Sequence, residues 1–218
     1  MPNIVCAVCG AHSQQTATVA DLQTPPREPP DFDTRPGEPL RSRLTHWLQL
    51  CPECEYAAPE LSYAPEGVAV LVRSDLYLNC EGPFLKHAFL LDQLGHHADA
   101  GWMALQGAWF FDDAGDGGLA LGCRTVALQF WKKGKAAGQN FAETIPEEFA
   151  LVTDILRRSG LFEDALGTCL DALEDEELPP MIEDMLRMQK TFIEGKDDRR
   201  HSMAELPERP AGSTRVTL

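Results

Sequence analysis

"CAVCG" at Cys6–Gly10 and "CPECEYAA" at Cys51–Ala58 decide the fold. Each stretch holds two cysteines separated by two residues, a spacing that lets one tight turn aim both sulfurs at a single point. Two such turns complete a tetrahedron of thiolates about 2.3 Å from a zinc ion. The candidate ligands are therefore Cys6, Cys9, Cys51 and Cys54. Gly10 follows the first pair, where a turn often needs a positive φ. Glu55 takes that place after the second pair, at an expected cost of about 1–3 kcal/mol. Structural zinc ligation in small domains contributes roughly 10–16 kcal/mol, so the strain is tolerable. Four cysteines leave the ion no open position. Such a zinc orders the chain and does not activate water.

The span between the pairs, residues 10 to 50, exceeds the roughly 15–20 residues of the familiar paired-CxxC pattern. Two alternatives stay open at this point. One is a site in which His12 or His46 replaces a cysteine. The other is a redox role for one or both dithiols, although neither CxxC reads as the start of a helix following a buried strand. "LTHWLQL" at Leu44–Leu50 alternates Leu44, His46, Leu48 and Leu50 on one face. That period predicts a strand ending at the second cysteine turn, with "NIV" at Asn3–Val5 as its partner.

Composition limits the function classes. The chain has 218 residues and a net charge of −15, from nineteen basic and thirty-four acidic side chains. A duplex-binding protein needs a basic face to displace counterions, so nucleic acid is a disfavoured partner. No stretch approaches the roughly 18 apolar residues of a membrane span, and Met1–Gly10 carries no basic-then-apolar leader. The expectation is a cytoplasmic protein with no membrane partner. In a reducing compartment seven cysteines do not form a disulfide framework.

A proline-rich insertion, residues 22–43, separates the pairs, with prolines at 25, 26, 29, 30, 36 and 39. It excludes regular helix and central strand and predicts extended chain laid on the surface. Its charges are Asp31, Asp33, Arg35, Glu38, Arg41 and Arg43. They read either as a partner-binding loop or as a solvated loop with weak internal ion pairs.

From Pro65 onward the apolar spacing becomes helical. Helices are expected over "PEGVAVLVRSDLYL", "PFLKHAFLLDQLGHH", "ADAGWMALQGAWFFDDAGD", "GGLALGCRTVALQFWKKG", "PEEFALVTDILRRSG", "LFEDALGTCLDALED" and "PPMIEDMLRMQKTFIEG". Two of the turns share a small-residue code. Gly115 has Ala108 before it and Ala120 and Ala127 after it; Gly160 has Ala165 and Ala172 at the same following offsets. Small residues there let antiparallel helices approach closely, which resembles tetratricopeptide repeats. The two turns lie about 45 residues apart, against the 34 of that repeat, and Arg124 and Cys169 replace large apolar residues. A plain helical-hairpin bundle is the competing description. Cys80, Cys123 and Cys169 read as inert packed thiols. His96, His97 and Asp99 read as a helix end.

The order of parts is similar to an uncharacterised bacterial domain-of-unknown-function family. That family has a paired-CxxC zinc-ribbon-like start, a charged loop, a second "CPEC-YAA" and tetratricopeptide-like helices. Glu55 departs from its usual glycine. The resemblance implies zinc at Cys6, Cys9, Cys51 and Cys54 and a helical scaffold. It supplies no activity.

The expected fold is α+β and mostly α: a small zinc-ribbon-like β unit over 1–62, a tetratricopeptide-like antiparallel helical array over 63–195 and a flexible tail over 196–218. The expected function is a cytosolic zinc-stabilised interaction scaffold taking a protein or peptide partner in a helical groove. A thiol-redox regulator is the alternative, and a nucleic-acid-binding ribbon comes third. No catalytic constellation stands out.

Overall fold

A computed structural model describes residues 2–16 and 27–207. Prolines 25 and 26 of the insertion and residues 208–218 of the expected tail lie outside this range. The fold is mostly helical, with two small antiparallel sheets near the N-terminus. Among the described residues, no helix is long and apolar enough to cross a membrane.

The chain groups into two units. The first comprises residues 1–28 and 35–144, and the second 29–34 and 145–218. The expected boundary at 62/63 therefore lies inside the first unit. In that unit β1 (Asn3–Val5) pairs with β2 (His12–Gln14), and β3 (Gln49–Leu50) pairs with β4 (Ala57–Ala58). The pairing expected between Asn3–Val5 and Leu44–Leu50 does not form. Residues Arg41–His46 are a 3-10 helix instead. Leu44 and Leu48 are buried while His46 and Leu50 face out, so the apolar pair is spaced four apart, as on a helix. A seven-residue alternation does not distinguish the two periods.

The helix expected over Pro65–Leu78 is two short ones, α1 (Val68–Leu71) and α2 (Asp75–Leu78). Ser74 separates them, because its hydroxyl accepts from Tyr77 N at 3.3 Å and caps α2. Then come α3 (Gly82–Gln93), α4 (His97–Ala114) and α5 (Gly117–Ala136). Gly115 ends α4 in the left-handed region, at φ +77°, and the Asp116 carboxylate caps α5 through Leu119 N at 3.0 Å. Ala108, Ala120 and Ala127 are all fully buried where α4 and α5 pack. One core of Cys6, Cys51, Tyr56, Leu61, Val68, Val72, Tyr77 and Leu90 joins the cysteine hairpins to α1–α3.

The second unit holds α6 (Ile145–Arg158), α7 (Phe162–Leu173) and α8 (Pro180–Glu194), each packed on the other two. Gly160 makes the α6–α7 turn at φ +72°, with Ala165 and Ala172 buried beyond it. Thr153, fully buried, stands where α4 has Ala108.

The proline-rich insertion departs most from expectation. Phe32 is 1% exposed and packs in the core of the second unit against Phe192, ring centroids 6.2 Å apart. Its backbone N donates to His201 O at 3.1 Å, and Met203 N donates to Pro30 O at 2.9 Å. Residues expected in a flexible tail thus form an ordered edge, closed by a capping box at Ser202 and Glu205.

Candidate metal centre

Each cysteine pair sits at the tip of a hairpin, and the two tips are hydrogen-bonded in the same way. Cys6 N donates to Ala11 O at 2.9 Å and Gly10 N to Cys6 O at 2.8 Å; Cys51 N donates to Tyr56 O at 2.9 Å and Glu55 N to Cys51 O at 3.0 Å. Gly10 and Glu55 both occupy the left-handed region, at φ +78° and +57°. The position expected to need that conformation does need it. At Glu55 the side chain pairs with Lys86 Nζ at 2.9 Å, and the backbone carbonyl accepts from Tyr77 OH at 2.8 Å.

The two tips face each other. Cys6 and Cys54 sulfurs lie 3.7 Å apart, Cys9 and Cys51 sulfurs 3.6 Å apart, and all four fall within 4.8 Å of one another. No disulfide joins them. An ion about 2.3 Å from each of four thiolates places neighbouring sulfurs about 3.8 Å apart, so the cluster has the dimensions of a four-thiolate centre. His46, exposed on the 3-10 helix, and His12, on β2, are outside the cluster. Hydrogen bonds lock the hairpins to each other. Ala7 N donates to Leu61 O at 2.8 Å, Leu61 N to Gln49 Oε1 at 2.9 Å, and Gln15 Nε2 to Leu50 O at 3.0 Å.

The electrostatics suit a cation. Burial pushes the Cys6 thiol up, against N–H donors from Cys9 and Val8. Burial also raises Cys54. At Cys51 burial acts the same way, but the N–H groups of Cys54 and Glu53 and the neighbouring thiols outweigh it and hold the thiol below its ordinary value. Four thiolates this close repel one another, and a soft divalent cation removes that cost. Cys9 is exposed and Cys54 half-buried, which leaves an entry path.

Tyr77 is a residue of the candidate site that the sequence did not reveal. It is fully buried, and its hydroxyl donates to Glu55 O and accepts from Ala57 N at 3.0 Å. Both partners flank the second tip, so Tyr77 braces it. Burial raises its phenol, which keeps it a neutral donor. His87 Nδ1 contacts Ala57 O at 3.0 Å, and burial lowers its pKa. Nothing in "DLYL" points to a cysteine turn twenty residues away; only the fold connects them.

The charged insertion residues are largely consumed by internal pairs. In the first unit Arg35, 1% exposed, pairs with Asp113. Arg41 reaches Asp113 at 2.7 Å, and the Glu38 carboxylate accepts from Ser42 N at 3.3 Å. Arg43 is half-buried at the same 3-10 helix. In the second unit Asp33, fully buried, pairs with Arg158 at 2.9 Å, and Asp31 with Arg200 at 3.6 Å. His97 Nδ1 lies 2.8 Å from the buried Asp92 carboxylate, which Lys133 also holds. Burial pushes Cys123 up to about 12 and Cys169 up to about 11, so both are packed, unreactive thiols as expected.

Comparison of the chain with protein-family models, with curated proteins and with solved structures finds no match.

Proposed function

We propose that Cys6, Cys9, Cys51 and Cys54 hold one zinc ion as a closed structural centre, and that the protein is a zinc-ordered cytosolic interaction scaffold. The observation that carries this is the set of two identically hydrogen-bonded turns presenting four sulfurs at the edge length of a thiolate tetrahedron. Zinc favours such a donor set, and four thiolates leave it no site for substrate. The ion's role is to fix hairpins that share a core with α1–α3. The pair of hairpins α4–α5 and α6–α7 are degenerate tetratricopeptide-like units. Their left-handed glycine turns and buried small residues support this, with Thr153 and Ala108 at equivalent places. Tyr63, Val70 and Leu76 are 66%, 76% and 71% exposed beside the metal hairpins, which favours a protein partner over a small substrate. A net charge of −15 disfavours nucleic acid.

Native mass spectrometry of freshly purified protein tests the proposal. One zinc per chain, lost when all four cysteines become serine, is the expected result. Metal-free protein with freely reactive Cys6–Cys9 or Cys51–Cys54 dithiols would overturn it in favour of a redox role.

A further inference from the structure

Two carboxylates grip one imidazole at the edge that receives residues 29–34. His201 Nδ1 lies 2.8 Å from Glu205 Oε2, and its Nε2 lies 3.3 Å from Asp197 Oδ2. The side chain is 11% exposed and stacks on Phe192, ring centroids 3.6 Å apart. At Glu205 burial opposes ionisation, but the Ser202 N–H and His201 outweigh it and hold the carboxyl below its ordinary value. Arg199 holds Asp197 low in the same sense. Both partners are therefore ionised and can only accept. A neutral imidazole has one N–H and one lone pair, whereas an imidazolium has two N–H groups. Both contacts are hydrogen bonds only while the ring is charged. Once the proton leaves, one nitrogen turns a lone pair toward an anion.

The surrounding charges have partners of their own. Arg199, next to Asp198, pairs with Asp197. From α6, the Arg157 guanidinium lies over the Phe192 ring and donates to the main-chain carbonyls of Asp197 and Arg199. From the insertion, Asp31 pairs with Arg200. The arginines oppose a charged ring, but the two carboxylates are the groups at its nitrogens. The same short segment holds the insertion. His201 O accepts from Phe32 N at 3.1 Å, and Met203 N donates to Pro30 O at 2.9 Å. Ser202 bridges to Asp31, and Phe192, beneath the imidazole, is also the ring that Phe32 packs against.

We propose that His201 is a protonation-dependent clasp for residues 29–34. The charged ring ties Asp197 to Glu205 and fixes residues 201–203 as the edge to which Pro30 and Phe32 bond. As pH rises and the ring loses its proton, the edge loosens and the insertion opens more often, while α6–α8 stay folded. Histidine is the side chain suited to such a switch between about pH 5 and 8. The device is independent of the metal centre.

The test is hydrogen exchange of the full chain, read by NMR at the Phe32 and Met203 amides and divided by the intrinsic exchange rate at each pH. The His201 ring signals report its protonation in the same samples. Protection of both amides is expected to fall about fivefold as the ring loses its proton, while the α7 amides hold within about twofold. His201→Gln stays neutral at every pH and is expected to flatten the profile. Glu205→Gln keeps the imidazole and gives it an amide that donates to a lone pair, so the fall is expected to shrink by at least about half. A parent profile flat within about 1.5-fold overturns the clasp. So does a fall that does not track the His201 ring, or one that persists unchanged in either variant. Should His201→Gln leave the insertion unprotected at every pH, the Glu205→Gln profile decides.

Discussion

Replacing Phe32 by alanine is the sharpest test of how the proline-rich insertion is used. Phe32 is 1% exposed and packs with α6–α8 and Phe192. Fully burying a phenylalanine side chain contributes about 1.5–3 kcal/mol from transfer alone. The cavity left behind and the lost ring pair bring the expected loss to about 3–5 kcal/mol. If the insertion were a solvated loop, the same change would stay within about 0.5 kcal/mol. All four tryptophans, Trp47, Trp102, Trp109 and Trp131, lie in the first unit, so intrinsic fluorescence does not report the second. Hydrogen exchange of the α6 and α8 amides does. A loss of 3–5 kcal/mol corresponds to a hundred- to a few-thousand-fold fall in protection, at about tenfold per 1.4 kcal/mol. Phe32→Leu retains most of the volume and is expected to lose about 1 kcal/mol. Protection unchanged within about threefold in Phe32→Ala would refute the core assignment.

Tyr77→Phe removes the hydroxyl that braces Glu55 and Ala57 and is expected to weaken zinc about 10- to 100-fold, measured by competition with a chromophoric chelator. Gly101→Ala drives a methyl into the Trp131 indole; despite alanine's better helix propensity of about 1 kcal/mol, a net loss of about 1–3 kcal/mol is expected in fluorescence-monitored unfolding. At Asp113 burial opposes ionisation, but Arg41 and Arg35 outweigh it and depress the carboxyl. A depressed carboxylate contributes stability above its unfolded pKa of about 4 and loses it as pH falls through the lower folded value. Asp113→Asn should therefore lower the melting temperature above about pH 4 and converge with the parent as pH falls through the lower folded value. Alkylation of chelator-treated protein at about pH 8 should modify Cys9 first and spare Cys123 and Cys169, as peptide mass spectrometry would show.

The four-cysteine cluster was legible because its signal is local. Each CxxC sets a turn by itself, and chemistry requires the turns to meet. Even the left-handed backbone at Glu55 follows from its place four residues after Cys51. The helices from Gly82 to Glu194 were legible for a similar reason, since apolar side chains repeat within each element. What failed was short or remote. Leu44 and Leu48 satisfy both a strand alternation and a helical spacing, and only packing decides. Ser74 as a cap splits Pro65–Leu78, a signal hidden inside an otherwise helical run. Phe32 between two aspartates looked solvated because the arginine that meets Asp33 is Arg158, on α6. No local pattern joins residues so distant.

The route of residues 29–34 has a consequence for biosynthesis. During translation this stretch leaves the ribosome more than a hundred residues ahead of the three helices that receive it. At about 5–20 residues per second it waits on the order of ten seconds with Phe32 unsheltered. A fragment beginning at Ile145 would never receive it. The unit that residues 29–34 complete is therefore not separable from them, and its maturation waits until the helices from Ile145 to Glu194 have left the ribosome.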